Sequence, residues 1–186
     1  MNDFWEVCVP FANRGTIGAI RWCIAYSDGL ALQPEARKAV RVELYRAWTK
    51  DMPEGAGLRE VVRSLQSEVH PSRLGVPAAS ALCGAIADRV QDRRLRGAAR
   101  LAQGSMILSG GTPADLERAR PLITRGIEDD PEGELVATLR GRLFQIDNLR
   151  VGKPCPDFTA TDVDGVAFKR SDYLGKVVVL DFWGFW

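Results

Sequence analysis

The 186-residue sequence predicts a mainly α chain: a helical-hairpin array over residues 1–148, followed by an incomplete α/β segment over residues 149–186. Three observations carry this. Apolar residues recur at three- and four-residue spacing in successive windows, the period of an amphipathic helix. Short breakers rich in Gly, Pro and Asp separate the windows, as helix-to-helix turns do. After about residue 150 the period changes to short β-branched runs divided by Asp-Gly and Ser-Asp turns.

Residues 12–26 are apolar with Arg14 and Arg21 interspersed, and Ser27-Asp28-Gly29 closes them. Residues 33–49 read as an amphipathic helix: Pro34 suits a first turn, and Val40, Leu44 and Trp48 recur every four residues. Asp51-Met52-Pro53-Glu54-Gly55 breaks it. A third helix over 58–69 places Leu58, Val61, Val62, Leu65 and Val69 on one face and stops before Pro71. Residues 77–90 form an Ala-rich fourth, and residues 92–108 a fifth that Gly97 and Gly104 weaken. Thr112-Pro113 is a strong start, a hydroxyl cap followed by Pro in the first position, for a helix that Pro121 should bend or frustrate. Asp130-Pro131 opens the last helix, with Leu135, Leu139, Leu143 and Ile146 inward. The array loosely resembles tetratricopeptide-type repeats, though no signature residues recur. Such arrays bind protein partners or pack on a neighbouring domain.

With 25 Lys and Arg against 24 Asp and Glu, the net charge is +1, too small to draw in nucleic acid. The longer apolar runs are broken by charge or Gly, so no membrane span is expected. The N-terminus, Met1-Asn2-Asp3-Phe4-Trp5-Glu6, lacks a basic region and an apolar stretch of signal-peptide form. It leaves the compartment open. Cys8, Cys23, Cys83 and Cys155 include no Cys-x-x-Cys pair and read as free thiols, and neither metal nor other cofactor is called for. His70, before Pro71, suits a helix end where an imidazole can cap carbonyls. The run Glu128-Asp129-Asp130 with Glu132 and Glu134 reads as acid favoured by a helix start. The basic stretch 89–100, interleaved with Asp88 and Asp92, reads as a solvated helix face.

The tail has the sequence VGKPCPDFTATDVDGVAFKRSDYLGKVVVLDFWGFW. Pro154 and Pro156 stiffen its start. Residues 158–161 and 166–168 read as strands of a hairpin closed by Asp162-Val163-Asp164-Gly165, which outweighs a calcium loop because the twelfth-position Glu is absent. Ser171-Asp172-Tyr173 suits a helical turn ended by Gly175. Residues 177–183 read as a strand buried on both faces of a mostly parallel sheet.

These pieces, in this order, resemble the opening of the redoxin domain of TlpA-like and AhpC/TSA-related proteins of the thioredoxin superfamily. The residues that carry the resemblance are Gly152-Lys153, Pro156-Asp157-Phe158, Asp164-Gly165, Ser171-Asp172-Tyr173, Gly175-Lys176, and Asp181-Phe182-Trp183-Gly184-Phe185-Trp186. The resemblance implies a thioredoxin fold, antioxidant or thiol–disulfide oxidoreductase activity, and disulfide-containing or thiol proteins as substrates. It implies that Asp181 is a buried proton carrier and that Trp183 and Trp186 flank the redox pair. That pair is expected directly after Trp186, so the resemblance makes this chain a fragment without the catalytic cysteines. A selenocysteine codon read as a stop is one expectation for that endpoint. The reading from another class is a helical interaction module with a vestigial redoxin tail.

Overall fold

The computed structural model of the chain describes residues 22–27, 33–51, 53–181 and 183–184. Seven α-helices are present among these residues: α1 (22–27), α2 (Pro34–Asp51), α3 (Ala56–Ser67), α4 (Gly75–Arg89), α5 (Arg93–Leu108), α6 (Pro113–Asp129) and α7 (Val136–Asn148). A two-stranded antiparallel sheet follows, β1 (Thr159–Thr161) and β2 (Ala167–Lys169), then a 3₁₀ turn over Arg170–Tyr173. The chain divides into two compact units, Met1–Arg140 and Gly141–Trp186. Most of the stretch read as helical over 12–26 lies outside the described residues.

Each helix start has a local cause. The ring of Pro34 takes the first position of α2, where no amide hydrogen is needed. The Asp92 carboxylate accepts from the Leu95 amide at 2.8 Å and caps α5. At α6, Thr112 Oγ1 accepts from the Asp115 amide at 3.1 Å while the Asp115 carboxylate accepts from the Thr112 amide at 3.3 Å, a reciprocal capping box. That helix runs unbroken through Pro121. The proline lies on the exposed face, and the carbonyl it leaves without an amide, that of the exposed Glu117, faces water.

The last helix starts later than Asp130-Pro131. The Asp130 carbonyl accepts from the Gly133 amide at 3.0 Å, closing a turn with Pro131 at its second position, and regular helix begins only at Val136. Its inner residues Val136 and Leu139 are buried.

The apolar faces meet in one core. Leu44 and Trp48 of α2, Leu58 and Leu65 of α3, Ile86 of α4, and Leu95 and Ala102 of α5 belong to it. Removing each large side chain from water contributes about 1.5–3 kcal/mol. Cys23 and Cys83 lie in the same core, and burial pushes the Cys83 thiol up to about 12.

Gly97 and Gly104 do more than weaken α5. They are where α6 comes closest. A Cβ on Gly97 would stand 2.6 Å from Asp130 Cβ and 2.9 Å from the Gly126 carbonyl oxygen, and one on Gly126 would stand 2.8 Å from Leu101 Cγ. The propensity cost of glycine is offset by an approach that no other residue permits.

One ion pair is sealed inside this unit. Arg41 of α2 donates to Glu68 at 2.5 Å, with the two side chains 0% and 3% exposed, and Arg73 reaches the other carboxylate oxygen at 3.3 Å. Helix α3 therefore stops at Ser67, two residues before the apolar pattern does, and turns Glu68 inward. Near it, Tyr45 Oη and Ser64 Oγ share a hydrogen bond of 2.7 Å. Burial raises the Tyr45 phenol above its usual range.

Candidate functional site

In the tail unit the hairpin is built by its turn residues. Asp162 Oδ1 accepts from the amides of Asp164 at 3.0 Å and Val166 at 2.8 Å, and Gly165 takes φ +83°, where a side chain would be strained. This sets the register Thr159↔Lys169, Ala160↔Phe168, Thr161↔Ala167. Asp157 ties the start of the hairpin to its end. Its Oδ1 accepts from the Ser171 amide at 2.8 Å, and the Phe158 carbonyl accepts from the Arg170 amide at 3.0 Å. Hydrogen bonds from the Ser171 side chain and amide, with Arg170 nearby, hold the Asp157 carboxyl below the usual range. Asp172 accepts from the Lys169 amide at 2.8 Å and opens the 3₁₀ turn, and Gly175 follows it at φ +82°. Tyr173 packs edge-on against Phe168 with centroids 5.9 Å apart and carries the Lys176 ammonium over its ring at 5.7 Å.

The strand expected over 177–183 is not formed. The sheet among the described residues is the β1–β2 pair alone, and residues 177–181 have no regular structure. Val177 is 96% and Val179 86% exposed, and Val178 and Leu180 are also exposed. A strand buried on both faces needs a neighbour on each edge and a layer on each face. The β1–β2 pair offers neither to this segment. Asp181 and Trp183, two residues apart, are both exposed, and Trp186 lies outside the described residues. Cys155, in the linker before β1, is exposed, in contrast to Cys83.

In the helical unit, His70 does not cap the α3 carbonyls. Its Nδ1 accepts from the Ser72 amide at 3.2 Å and lies 2.7 Å from Ser72 Oγ, within the turn leading to α4. The acidic run is also used differently from its reading. Asp129, at the end of α6, is clasped by arginines of α5: Arg96 in bidentate fashion at 2.9 and 3.0 Å, Arg100 at 2.5 Å and Arg93 at 3.6 Å. The basic stretch is therefore not simply a solvated face. Arg96, with support from Arg93 and Arg100, holds the Asp129 carboxyl below the usual carboxylate range.

Sequence reasoning missed a cleft of about 250 Å³ where α3, α5 and the 130–135 turn meet. Val62, Ala98, Leu101 and Leu135 give it apolar walls; Arg59, Arg63, Arg94, Asp130, Glu132 and Glu134 are its charged groups. No metal-binding cluster of His, Cys, Asp or Glu occurs among the described residues, and none of their helices is long and apolar enough to cross a membrane.

No family model matches the sequence, and no solved structure does. Short local similarities to curated proteins do exist. One stretch is 53% identical over 38 residues to the thiol-disulfide oxidoreductase ResA of Geobacillus kaustophilus, covering 20% of this chain and 22% of the relative. Another alignment is 59% identical over 39 residues to peroxiredoxin-2 of Cricetulus griseus, covering 19% and 20%. The ResA of Bacillus thuringiensis subsp. konkukian is 36% identical over 47 residues, covering 25% and 27%. The similarity is to redoxins of the thioredoxin superfamily. The chain spans about a quarter or less of the length of the relatives it matches.

Proposed function

We propose that residues 149–186 are the leading part of a TlpA-like, AhpC/TSA-related redoxin domain, and that the polypeptide carrying it performs thiol–disulfide exchange on protein substrates. The observation that carries this reading is the hairpin-and-turn unit. Asp157, Asp164-Gly165 and Ser171-Asp172-Tyr173, the residues of the sequence resemblance, are also those that build its turns and tie its ends together. The local likeness to ResA and to a peroxiredoxin supports the same reading.

In this reading the redox pair stands just after Trp186, at the start of a helix whose dipole stabilises a thiolate. The thiolate attacks one sulfur of a substrate disulfide and expels the other as a thiolate. The second cysteine then breaks the mixed disulfide. The pair loses two electrons and the substrate gains them. Asp181, once buried beneath the completed sheet, carries the proton, and Trp183 and Trp186 line the lip of the site. None of the four cysteines here forms such a pair, so the 186-residue chain is expected to be inert toward disulfides.

The test is to read the coding DNA past the codon for Trp186, through any in-frame UGA, and to express the extended chain with cysteine at that position. It should reduce insulin or a small aromatic disulfide with dithiol as electron donor, and the 186-residue chain should not. Turnover by the shorter chain, or no redoxin-like sequence downstream, refutes the proposal. An extended chain that holds a reduced pair yet leaves disulfides intact would favour the second reading, a tetratricopeptide-like helical module with a vestigial tail. The cleft on the helical unit is the observation that speaks for that reading.

A further inference from the structure

The tail unit leaves one run of backbone unpaired. Lys176 is its last tie to the hairpin: the Lys176 amide donates to the Tyr173 carbonyl at 3.1 Å, and its ammonium rides on the Tyr173 ring. Beyond it, the amides and carbonyls of residues 177–181 make no hydrogen bond with any described residue. The side chains nevertheless alternate as those of a strand do. Val177 and Val179 are 96% and 86% exposed, while Val178 and Leu180 are 45% and 47% exposed. One face of the run is bare and the other half-covered.

Such a run is a template for another strand. Val177-Val178-Val179-Leu180 holds no Gly, Pro or charge, and β-branched residues favour the extended backbone. Edge strands are ordinarily blunted by an internal lysine, a proline or a bulge, and none stands within this run. The charges stand at its two ends instead, Lys176 before it and Asp181 after it. Neither forms an ion pair with a described residue.

We propose that residues 176–181 pair antiparallel with the same residues of a second copy of this chain, joining the two through one intermolecular β-ribbon. The end charges select the occupant and the direction. Antiparallel pairing about the middle of the run brings the Lys176 end of each copy alongside the Asp181 end of the other, at both ends of the ribbon. Parallel pairing in register would set Lys176 on Lys176 and Asp181 on Asp181, which repel. The run is therefore complementary to itself in one direction only. A two-fold axis relates the copies and keeps like residues on one face, so Val177 and Val179 of both copies share that face and shield one another's flanks. A net charge of +1 sets no long-range barrier to the encounter. This pairing needs the exposed run alone and does not rest on the redoxin reading. In that reading the chain's own completed sheet takes the same strand, so the two uses exclude each other.

The test is sedimentation equilibrium of the full 186-residue chain. Its mass should rise reversibly from one chain to two across the micromolar-to-millimolar range, as suits a short contact. Val179→Lys sets two like charges within the ribbon and should leave the chain monomeric over that range. Lys176→Asp puts like charges at both ends and should weaken association at least about threefold. Adding Asp181→Lys to it should bring the affinity back to within about twofold of wild type, because the end charges are then exchanged but still opposite. All three positions are exposed, so the helical circular dichroism should not change. The proposal is overturned if the chain stays monomeric, if its mass passes two chains without pausing there, if Val179→Lys associates as wild type does, or if Lys176→Asp and the double reversal associate equally. None of these results bears on the disulfide assay of the extended chain, so the two proposals can fail separately.

Discussion

Replacing Gly97 with alanine should destabilise the helical unit, although on an isolated helix the same change is stabilising. In α5 the new methyl would recover about 1 kcal/mol of helix propensity. It would also stand 2.6 Å from Asp130 Cβ, 2.8 Å from the Asp130 amide nitrogen and 2.9 Å from the Gly126 carbonyl oxygen. Optimal contact lies about 1 Å further out. Two of those three atoms are backbone, so no rotamer change relieves the clash. Helix α6 must retreat, and the buried contacts of Leu101 and Ile123 loosen with it. Overpacking of this kind costs about 1–3 kcal/mol, and loss of backbone contact places it at or beyond the upper end. The net expectation is a loss of about 2 kcal/mol, or roughly 4–8 °C in melting temperature for a chain of this length. Gly141 in α7 is the control. A Cβ there meets nothing within 4 Å, so Gly141→Ala should gain about 0.5–1 kcal/mol. Urea and thermal unfolding followed by far-ultraviolet circular dichroism measure both. Equal stabilisation by the two substitutions would refute the close-approach argument.

Two further outcomes follow from the ion pairs. Arg41→Met leaves Glu68 buried with only the half-exposed Arg73 for company and should cost about 3–5 kcal/mol; adding Glu68→Leu should restore most of it, because the pair's worth lies mainly in not being broken. Equilibrium denaturation of the single and double variants checks this, and an additive double variant would contradict it. Asp129 has a folded pKa below its unfolded value near 3.9, so its contribution is complete above that value and is lost as pH falls through the folded pKa. Asp129→Asn should therefore cost about 1–2 kcal/mol at neutral pH and show a shallower loss of stability than wild type below about pH 4, read from urea midpoints across the acid range.

What the sequence made legible was whatever depends on neighbours along the chain. Thr112-Pro113 announced the start of α6 because a hydroxyl cap and an N1 proline act locally, and Val40, Leu44 and Trp48 announced the inner face of α2 because the helix period alone places them together. The hairpin after Asp162 was legible for the same reason, its turn being closed by that residue's own carboxylate. What escaped depends on partners far along the chain. Gly97 looks like a weak point until Gly126 and Asp130 are set against it. Arg93, Arg96 and Arg100 look like a solvated face until Asp129 is brought under them. Glu68 looks like the polar end of α3 until Arg41, 27 residues earlier, is seen to bury it. The cleft was illegible because its walls come from α3, α5 and the 130–135 turn, segments far apart along the chain that no spacing rule brings together. The tail motif was legible as a pattern, but its expected central strand takes its burial from sheet neighbours that β1 and β2 do not provide.

The chemistry proposed for the tail and its folding are therefore one question. A carboxylate serves proton transfer near neutrality when desolvation favours its neutral form. Asp181 is exposed, and so are the four apolar residues before it. Bringing Val177, Val178, Val179 and Leu180 into a sheet covered on both faces would contribute roughly 6–10 kcal/mol from their side chains. That is enough to carry the neighbouring Asp181 out of water against its own reluctance. In the redoxin reading, the apolar run is thus what creates the acid: the hydrophobic effect supplies the free energy, and Asp181 stores part of it as a proton held where a reacting sulfur would need one. The same run without its sheet is only a sticky edge. The proposal requires that strand and acid be buried together.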